Sequence, residues 1–333
     1  MSHDWLLVET LGSDPAVVAQ GRQLQNLVPI GVFLRRSPDL SAVQTAITET
    51  VAGGISLASL TPKGKRVIRT EPVVMTDGVI HGVHVWLGPA DEEPPERPLP
   101  GPLIWNLTTG VATDTPQSLL NSGLDPDTQA TQGRAFAEDL PARDLNPSET
   151  RVLSIAIAGQ PGVTYCNTWD VTDSTGKLIT VAFVARTEME PADGGGQHLI
   201  ARAMNWRSER ETPVLAPDHL AQRILDSLAK PGVYRALVDV RNGRVLKWLD
   251  EPSPLYDWRG THAAQQPLVH PDDDPLLTAM TKELGDGETA RVLRLRAPDG
   301  GWVSIHTTVN RVELDTGVYA GLITTRLATD DDS

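Results

Sequence analysis

One arrangement recurs along the 333 residues and limits the fold more than any single motif does. A pair of strand-like segments around a turn comes first. A loop and a helix follow, then three strands separated by glycine turns. The arrangement appears three times, as a repeated hydrophobic pattern rather than a repeated identity. It predicts three successive α+β modules, each a central antiparallel sheet with helices on one face. A chain of this length divides into roughly two or three domains, and five strands covered by helices can stand alone.

The first module spans residues 1–90. Its opening strand is Asp4–Gly12. Ser37 as cap and Pro38 at the first position predict a helix over Asp39–Val51. Leu40, Val43, Ile47 and Val51 lie on one face of it, and Gly53-Gly54 end it. Strands follow in ISLASLTP, RVIRTEPVVM and HGVHVWLG, with Lys63-Gly64 and Asp77-Gly78 as turns. The linker over residues 91–102 belongs to the acidic, Pro-rich run PADEEPPERPLPGP, which cannot bury a face and reads as a semi-rigid connector.

The second module covers residues 103–192 and opens on two strands around Asn106–Gly110. Asp125 and Pro126 predict a helix over Asp127–Leu140, stopped by Pro141. RVLSIAIAG, VTYCNTWDV and KLITVAFVAR read as the closing strands, with Gln160-Pro161-Gly162 and Ser174-Thr175-Gly176 as turns. Residues 193–231 read as a connector: a flexible joint at Asp193–Gly196, a short helix over Gln197–Arg207, and a helix over Pro217–Ala229 with Leu220, Ile224 and Leu228 on one side.

The third module covers residues 232–328. Asn242-Gly243 marks its opening hairpin. Asp274 caps, Pro275 starts and Gly285 ends a helix. The strands ARVLRLRAP, GWVSIHTTVNRVE and GVYAGLITTRLA close it, and residues 329–333 form an acidic tail.

The formal net charge of −14 argues against nucleic-acid partners, whose binding draws on Lys and Arg at phosphates. The single cysteine, Cys166, cannot close an intramolecular disulfide. The start MSHDWLLVETLG lacks the basic and apolar regions of a signal peptide, and no apolar run approaches the ~20 residues that span a bilayer. A cytoplasmic protein with no membrane span is expected.

In the third module, VDVRNGRVLKW, then LVHPDDDPLL, then RVLRLRAPDGGWVSIHTTV resembles a PAS domain. The His-Pro-Asp-Asp step before a helix and the Asp-Gly-Gly-Trp turn into a long strand carry the likeness. The first module looks like a more divergent PAS domain and the middle one like a PAS or GAF domain. The order of modules and the start DWLLVETLG resemble the mycobacterial triple sensor-domain family, described as PAS–GAF–PAS, whose molecular function is not established. The resemblance implies a sensing or regulatory role and carries over no catalytic residue.

The residues that could hold chemistry also have structural readings. His270, before Asp272–Asp274, could ligate a metal, but the acidic run also suits a helix start, where carboxylates meet the positive end of the dipole. His81 and His84 lie three apart in a strand, so they point to opposite faces and do not converge on a metal. Cys166 has no neighbouring base in sequence and reads as a structural thiol. No P-loop, dinucleotide fingerprint, nucleophile elbow or zinc-cysteine cluster is present. The triple glycine at 194–196 reads as a hinge. No catalytic or metal-ligating residue is assigned, and the cofactor is unknown.

One pattern stands out. In HVWLG, His84 and Trp86 share one strand face and Val83, Val85 and Leu87 the other. In WVSIHTTV, Trp302, Ser304 and His306 share one face and Val303 and Ile305 the other. The aliphatic faces suit helix-covered cores. His84, Trp86, Trp302 and His306 would then mark contact surfaces toward a neighbouring domain or a protein partner. The expected function is a non-enzymatic sensor or regulator: a small ligand, if one binds, sits between a sheet and its helices, and domain rearrangement passes the signal to a protein partner. A ligand-free interaction scaffold and an enzyme with an unfamiliar site are the alternatives.

Overall fold

A computed structural model describes residues 4–62, 64–140, 146, 148–192, 194–209, 220–260 and 267–332. Lys63, Pro141, Asp193 and the start of the predicted Pro217–Ala229 helix lie outside the described residues. The chain forms two compact units. One holds Met1–Gly133 and Gln160–Pro213, the other Arg134–Gly159 and Val214–Ser333.

The first unit opens on β1 (Leu6–Glu9), β2 (Ala16–Gln20) and β3 (Gln23–Pro29), then α1 (Ile30–Phe33) and α2 (Leu40–Gly53), then β4 (Leu57–Leu60), β5 (Arg66–Val74) and β6 (Ile80–Pro89). These strands form an antiparallel sheet in the order β3-β2-β1-β6-β5-β4. Val43, Ala46 and Ile47 of α2 pack on Leu6, Val8, Val17, Ile68, Val83 and Val85. Gly54 ends α2 in the left-handed conformation that a residue with a Cβ resists. The cap position is Asp39 rather than Ser37, whose hydroxyl accepts a hydrogen bond from Asp39 N at 3.3 Å.

The middle of the chain supplies β7 (Gly101–Asn106), β8 (Val111–Asp114), α3 (Pro116–Asn121), β9 (Arg134–Ala135), α4 (Glu149–Ala158), β10 (Thr164–Thr172), β11 (Leu178–Pro191) and β12 (Gln197–Arg207). In the first unit these make a second antiparallel sheet, ordered β10-β11-β12-β7-β8. Thr115 caps α3 by a capping box with Ser118, and Pro116 follows at the first position.

Three predicted elements of this stretch are corrected. Gln197–Arg207 is the strand β12, not a helix. It pairs with β11 on one edge and β7 on the other; Met204 and Trp206 pack on one face and Asn205 bonds to Ser118 of α3 on the other, so its burial shows no alternation. Gly194–Gly196 therefore turn a β11–β12 hairpin and are not a joint between domains; Ala192 N donates to Gly196 O across the turn. RVLSIAIAG is helical, as α4. Glu149, Val152, Leu153 and Ile157 are buried along one stripe, spaced as a helix face requires. The helix predicted over Asp127–Leu140 is absent among the described residues. Asp125 instead turns the chain, accepting from Asp127 N, and only the two-residue β9 and a short 3₁₀ turn at Phe136–Glu138 follow.

The second unit contains β9, α4, α5 (Leu220–Leu228), β13 (Tyr234–Asp239), β14 (Arg244–Trp248), α6 (Asp274–Glu283), β15 (Glu288–Arg296), β16 (Trp302–Asp315) and β17 (Val318–Leu327). Its antiparallel sheet is ordered β14-β13-β17-β16-β15. Asp273, not Asp274, holds the cap position of α6. His270 Nδ1 accepts from Asp272 N at the 3₁₀ turn before it.

Helices on one face only do not describe this sheet. Trp248, Ala236, Ile323 and Val309 lie in one cross-strand row, on the face packed by Trp258, Tyr256 and Met280. Lys247, Leu237, Leu322 and Asn310 form the neighbouring row, which points to the opposite face. Glu149 of α4 meets Lys247 there. The two faces are thus covered from different parts of the chain. The fold is α+β, with three antiparallel sheets and few helices.

Candidate functional site

Alternation along β1, β6, β11 and β12 sends one set of side chains to the helix-covered cores and the other into a seam between the two sheets of the first unit. Leu7, Val18, Ala19 and Val73 meet Ala182, Val184, Met204 and Trp206 there, and Trp206 is fully buried. Burial of this kind stabilises by about 25 cal/mol for each Å² of apolar surface removed from water.

Polar groups thread the apolar seam. Glu9 of β1 accepts two bonds from Arg186 of β11, from Nε at 2.8 Å and Nη2 at 3.0 Å. Arg202 of β12 pairs with Glu190 at 2.7 and 2.9 Å and with Asp77 at 2.7 Å. His81 Nδ1 lies 2.8 Å from Ala203 O, and its Nε2 lies 3.3 Å from Arg202 Nη1. A carbonyl oxygen only accepts, so Nδ1 carries the proton and Nε2 is the acceptor for Arg202. Burial, with Arg202 adding to it, holds His81 in the neutral form with a pKa of about 4.

The seam brings His81 and His84 to the same side of β6. The ladder with β5 pairs Val73 with Gly82 and Val74 with Ile80, so His81 is the extra residue of a bulge. That one insertion cancels the alternation from which opposite faces were expected. Gly82 shows how close the sheets approach: a Cβ built there would lie 2.7 Å from Val8 O and 2.8 Å from Met204 Sδ.

His84 and Trp86 are both buried. The His84 ring meets Trp5 edge-on at 5.8 Å between centroids, and the Arg69 guanidinium lies 5.9 Å from the Trp86 ring centre. Trp5 Nε1 donates to Pro95 O, and Arg97 stacks on its ring at 4.9 Å. Residues of the Pro-rich stretch thus pack against Trp5. Burial lowers the His84 pKa to about 4.

Cys166 also faces the seam, with Sγ 3.6 Å from Gln25 O. Burial, and then the Glu9 carboxylate, push its thiol up to about 12. Such a thiol is a poor nucleophile at neutral pH. Among the described residues, no group of three or more His, Cys, Asp or Glu side chains is arranged to hold a metal ion.

In the second unit Trp302 keeps 36% of its surface exposed, while Ile305 on the other strand face is fully buried. The Arg296 guanidinium stacks on the Trp302 ring at 3.7 Å, and the His270 ring lies 4.7 Å away. His306 Nε2 stands 3.7 Å from Asp332 Oδ1. The carboxylate of Asp332 accepts from both Arg326 amino groups, which hold it well below the usual carboxylate range. The structure thus places His84 and Trp86 in an interior, and leaves Trp302 partly and His306 slightly accessible.

Sequence reasoning missed the Arg202 network, because its members come from a turn, a strand and two hairpin arms far apart in the chain. A signal was present: charged Arg186, Glu190 and Arg202 interrupt otherwise apolar strand runs.

Family models match in three consecutive stretches: Rv3651-like, N-terminal, over residues 4–96; Rv3651-like, middle domain, over 99–208; and Rv3651-like, C-terminal domain, over 218–333. A crystal structure of an uncharacterized protein from Mycobacterium tuberculosis is 57% identical, with 99% of this chain and 98% of that chain covered and a TM-score of 0.90. A sensory box histidine kinase/response regulator from Burkholderia thailandensis E264 is 14% identical, covering 38% of this chain and 88% of that one, at a TM-score of 0.23. A likeness that low carries no argument about fold or role. No curated protein matches the chain. No described helix is long and apolar enough to cross a membrane.

Proposed function

The chain belongs to the Rv3651-like family, and we propose that it is a non-enzymatic sensory or regulatory protein of the cytoplasm, acting on a protein partner through rearrangement of its units. In this reading the sheets are PAS- or GAF-type modules. The observation that carries it is how the titratable groups are used. His81, Arg202, Glu190, Asp77, Glu9 and Arg186 join one sheet to another, and Cys166 is held as a thiol beside them. These groups are engaged in structure, which supports a role made by contact and motion rather than by turnover.

The division of the chain favours coupling. Its backbone crosses between the two compact units after Gly133, after Gly159 and after Pro213.

Native mass spectrometry with a visible absorption spectrum tests the sensing part. A mass excess or colour in the purified protein, or stabilisation in a metabolite screen, is the expected result. A protein with neither, and with a stable partner in pull-downs, would be an interaction scaffold instead.

A further inference from the structure

The seam of the first unit is chemically asymmetric toward acid. His81 spends its one proton on Ala203 O, so a second proton can enter only at Nε2. That atom faces the Arg202 guanidinium at 3.3 Å. Protonation turns an acceptor into a donor and sets two cations against each other where packed side chains exclude water. The carboxylates around His81 are Asp77, from the turn before β6, and Glu190, from β11; both are already bonded to Arg202. Farther along the seam, Glu9 is held by Arg186, and Glu71, across the ladder from His84, pairs with Arg97. Asp77 and Glu190 share the one arginine, so the conflict on protonation is local: the new Nε2 proton points at the Arg202 guanidinium, where it meets a donor and no acceptor.

We propose that this seam is an acid-opened joint, in which protonation of His81 parts the first sheet from the second and loosens β6 and β12, the strands that carry His81 and Arg202. The proposal goes beyond the sensing reading: the joint opens on a proton whether or not a ligand binds elsewhere. Burial lowers both seam histidines to about 4, against about 6.5 for the exposed ring. The open form therefore binds protons more readily. Between pH 8 and pH 5 the ratio of open to closed seam rises roughly 30-fold for each histidine released.

The test is hydrogen exchange on the full chain at pH 7.5 and pH 5, corrected for the intrinsic pH dependence of exchange. Amides of β6 and β12 are expected to lose protection at least tenfold, while β15 and β16 keep theirs. His81→Asn retains an N–H for Ala203 O but cannot gain the charge, so it is expected to lose roughly 30-fold of the response. If that variant does not fold, Arg202→Gln serves: it keeps an N–H for His81 without the charge, and the opening should move to lower pH. Seam protection that ignores pH, a pH response unchanged in both variants, or simultaneous loss of protection in all three sheets would each overturn the proposal.

Discussion

Lys247 Nζ lies 2.9 Å from Glu149 Oε2, and the two side chains are 1% and 6% exposed. The pair fastens α4, from the middle of the sequence, to the sheet of the second unit. Glu149 also accepts from the backbone N–H of Asn146. Burial raises the Glu149 pKa, and the Lys247 ammonium works against that rise. Breaking such a pair on one side leaves a buried charge without its partner and costs about 3–5 kcal/mol. Glu149→Ala is expected to destabilise the second unit by about that much in equilibrium denaturation. The double variant Glu149→Leu/Lys247→Met should recover most of the loss. A double variant as unstable as the sum of the single changes would show that the pair is not a unit.

His84 gives stability a pH dependence of known sign. Burial lowers its folded pKa to about 4, and the unfolded ring titrates near 6.5. The unfolded chain thus takes up a proton that the folded one refuses. The contribution is complete above about pH 6.5 and is lost as pH falls toward 4, at a cost of about 1 kcal/mol by pH 5.5. His84→Phe keeps a ring beside Trp5 and removes the proton. Its stability should fall by about 1 kcal/mol less than that of the parent between pH 7.5 and 5.5; equal falls would contradict this account.

Gly101 begins β7 directly under α3. A Cβ built there would lie 2.2 Å from Ser118 N, a backbone atom fixed by the capping box. Gly101→Ala should destabilise by about 3 kcal/mol, since overpacking against backbone cannot be relieved by a side-chain rotation. Gly133→Ala is a useful contrast, because a Cβ there would meet open space and only the positive φ of 71° resists it. Thermal unfolding of both variants distinguishes contact from backbone strain.

Cys166 should be slow toward thiol reagents. Its thiol is pushed up to about 12, so little thiolate exists at pH 8. Alkylation of the native chain is expected to lag that of the denatured chain by well over tenfold, by mass spectrometry. Equal rates would mean that the seam opens freely in solution.

Trp302 separates packing from docking. Its ring supports the Arg296 guanidinium, a contact worth about 0.5–1 kcal/mol at an exposed site. Trp302→Ala should shift stability by no more than about that. A loss of partner capture in pull-downs with little change in stability would assign the surface to docking, and unchanged capture would remove it from that role.

Local chemistry was legible where a residue type leaves one conformation open. The hairpin at Asn242-Gly243, the glycine end of α2, and the turns around β5, β6, β15, β16 and β17 all follow from backbone preferences that act within a few residues. The errors fell where such preferences tie. LIARAM within β12 has helix-favouring residues, yet hydrogen bonds to β11 and β7 on both sides outweigh a propensity worth only tenths of a kcal/mol per residue. RVLSIAIA alternates well enough for a strand, and only the sheet surface beneath α4 selects the stripe Glu149, Val152, Leu153, Ile157. Thr115-Pro116 is a helix start readable from the residues alone.

The sequence by itself determined the α+β class and the split of β6 and β16 into aliphatic and Trp/His faces, because alternation and turn chemistry are properties of neighbouring residues. Tertiary structure decided what those faces meet. It set a bulge at His81, closed the first sheet on the second around Arg202, and brought Glu149 to Lys247. Those outcomes rest on burial and on pairing of charges far apart in the chain, and such energies exist only once the surfaces are together.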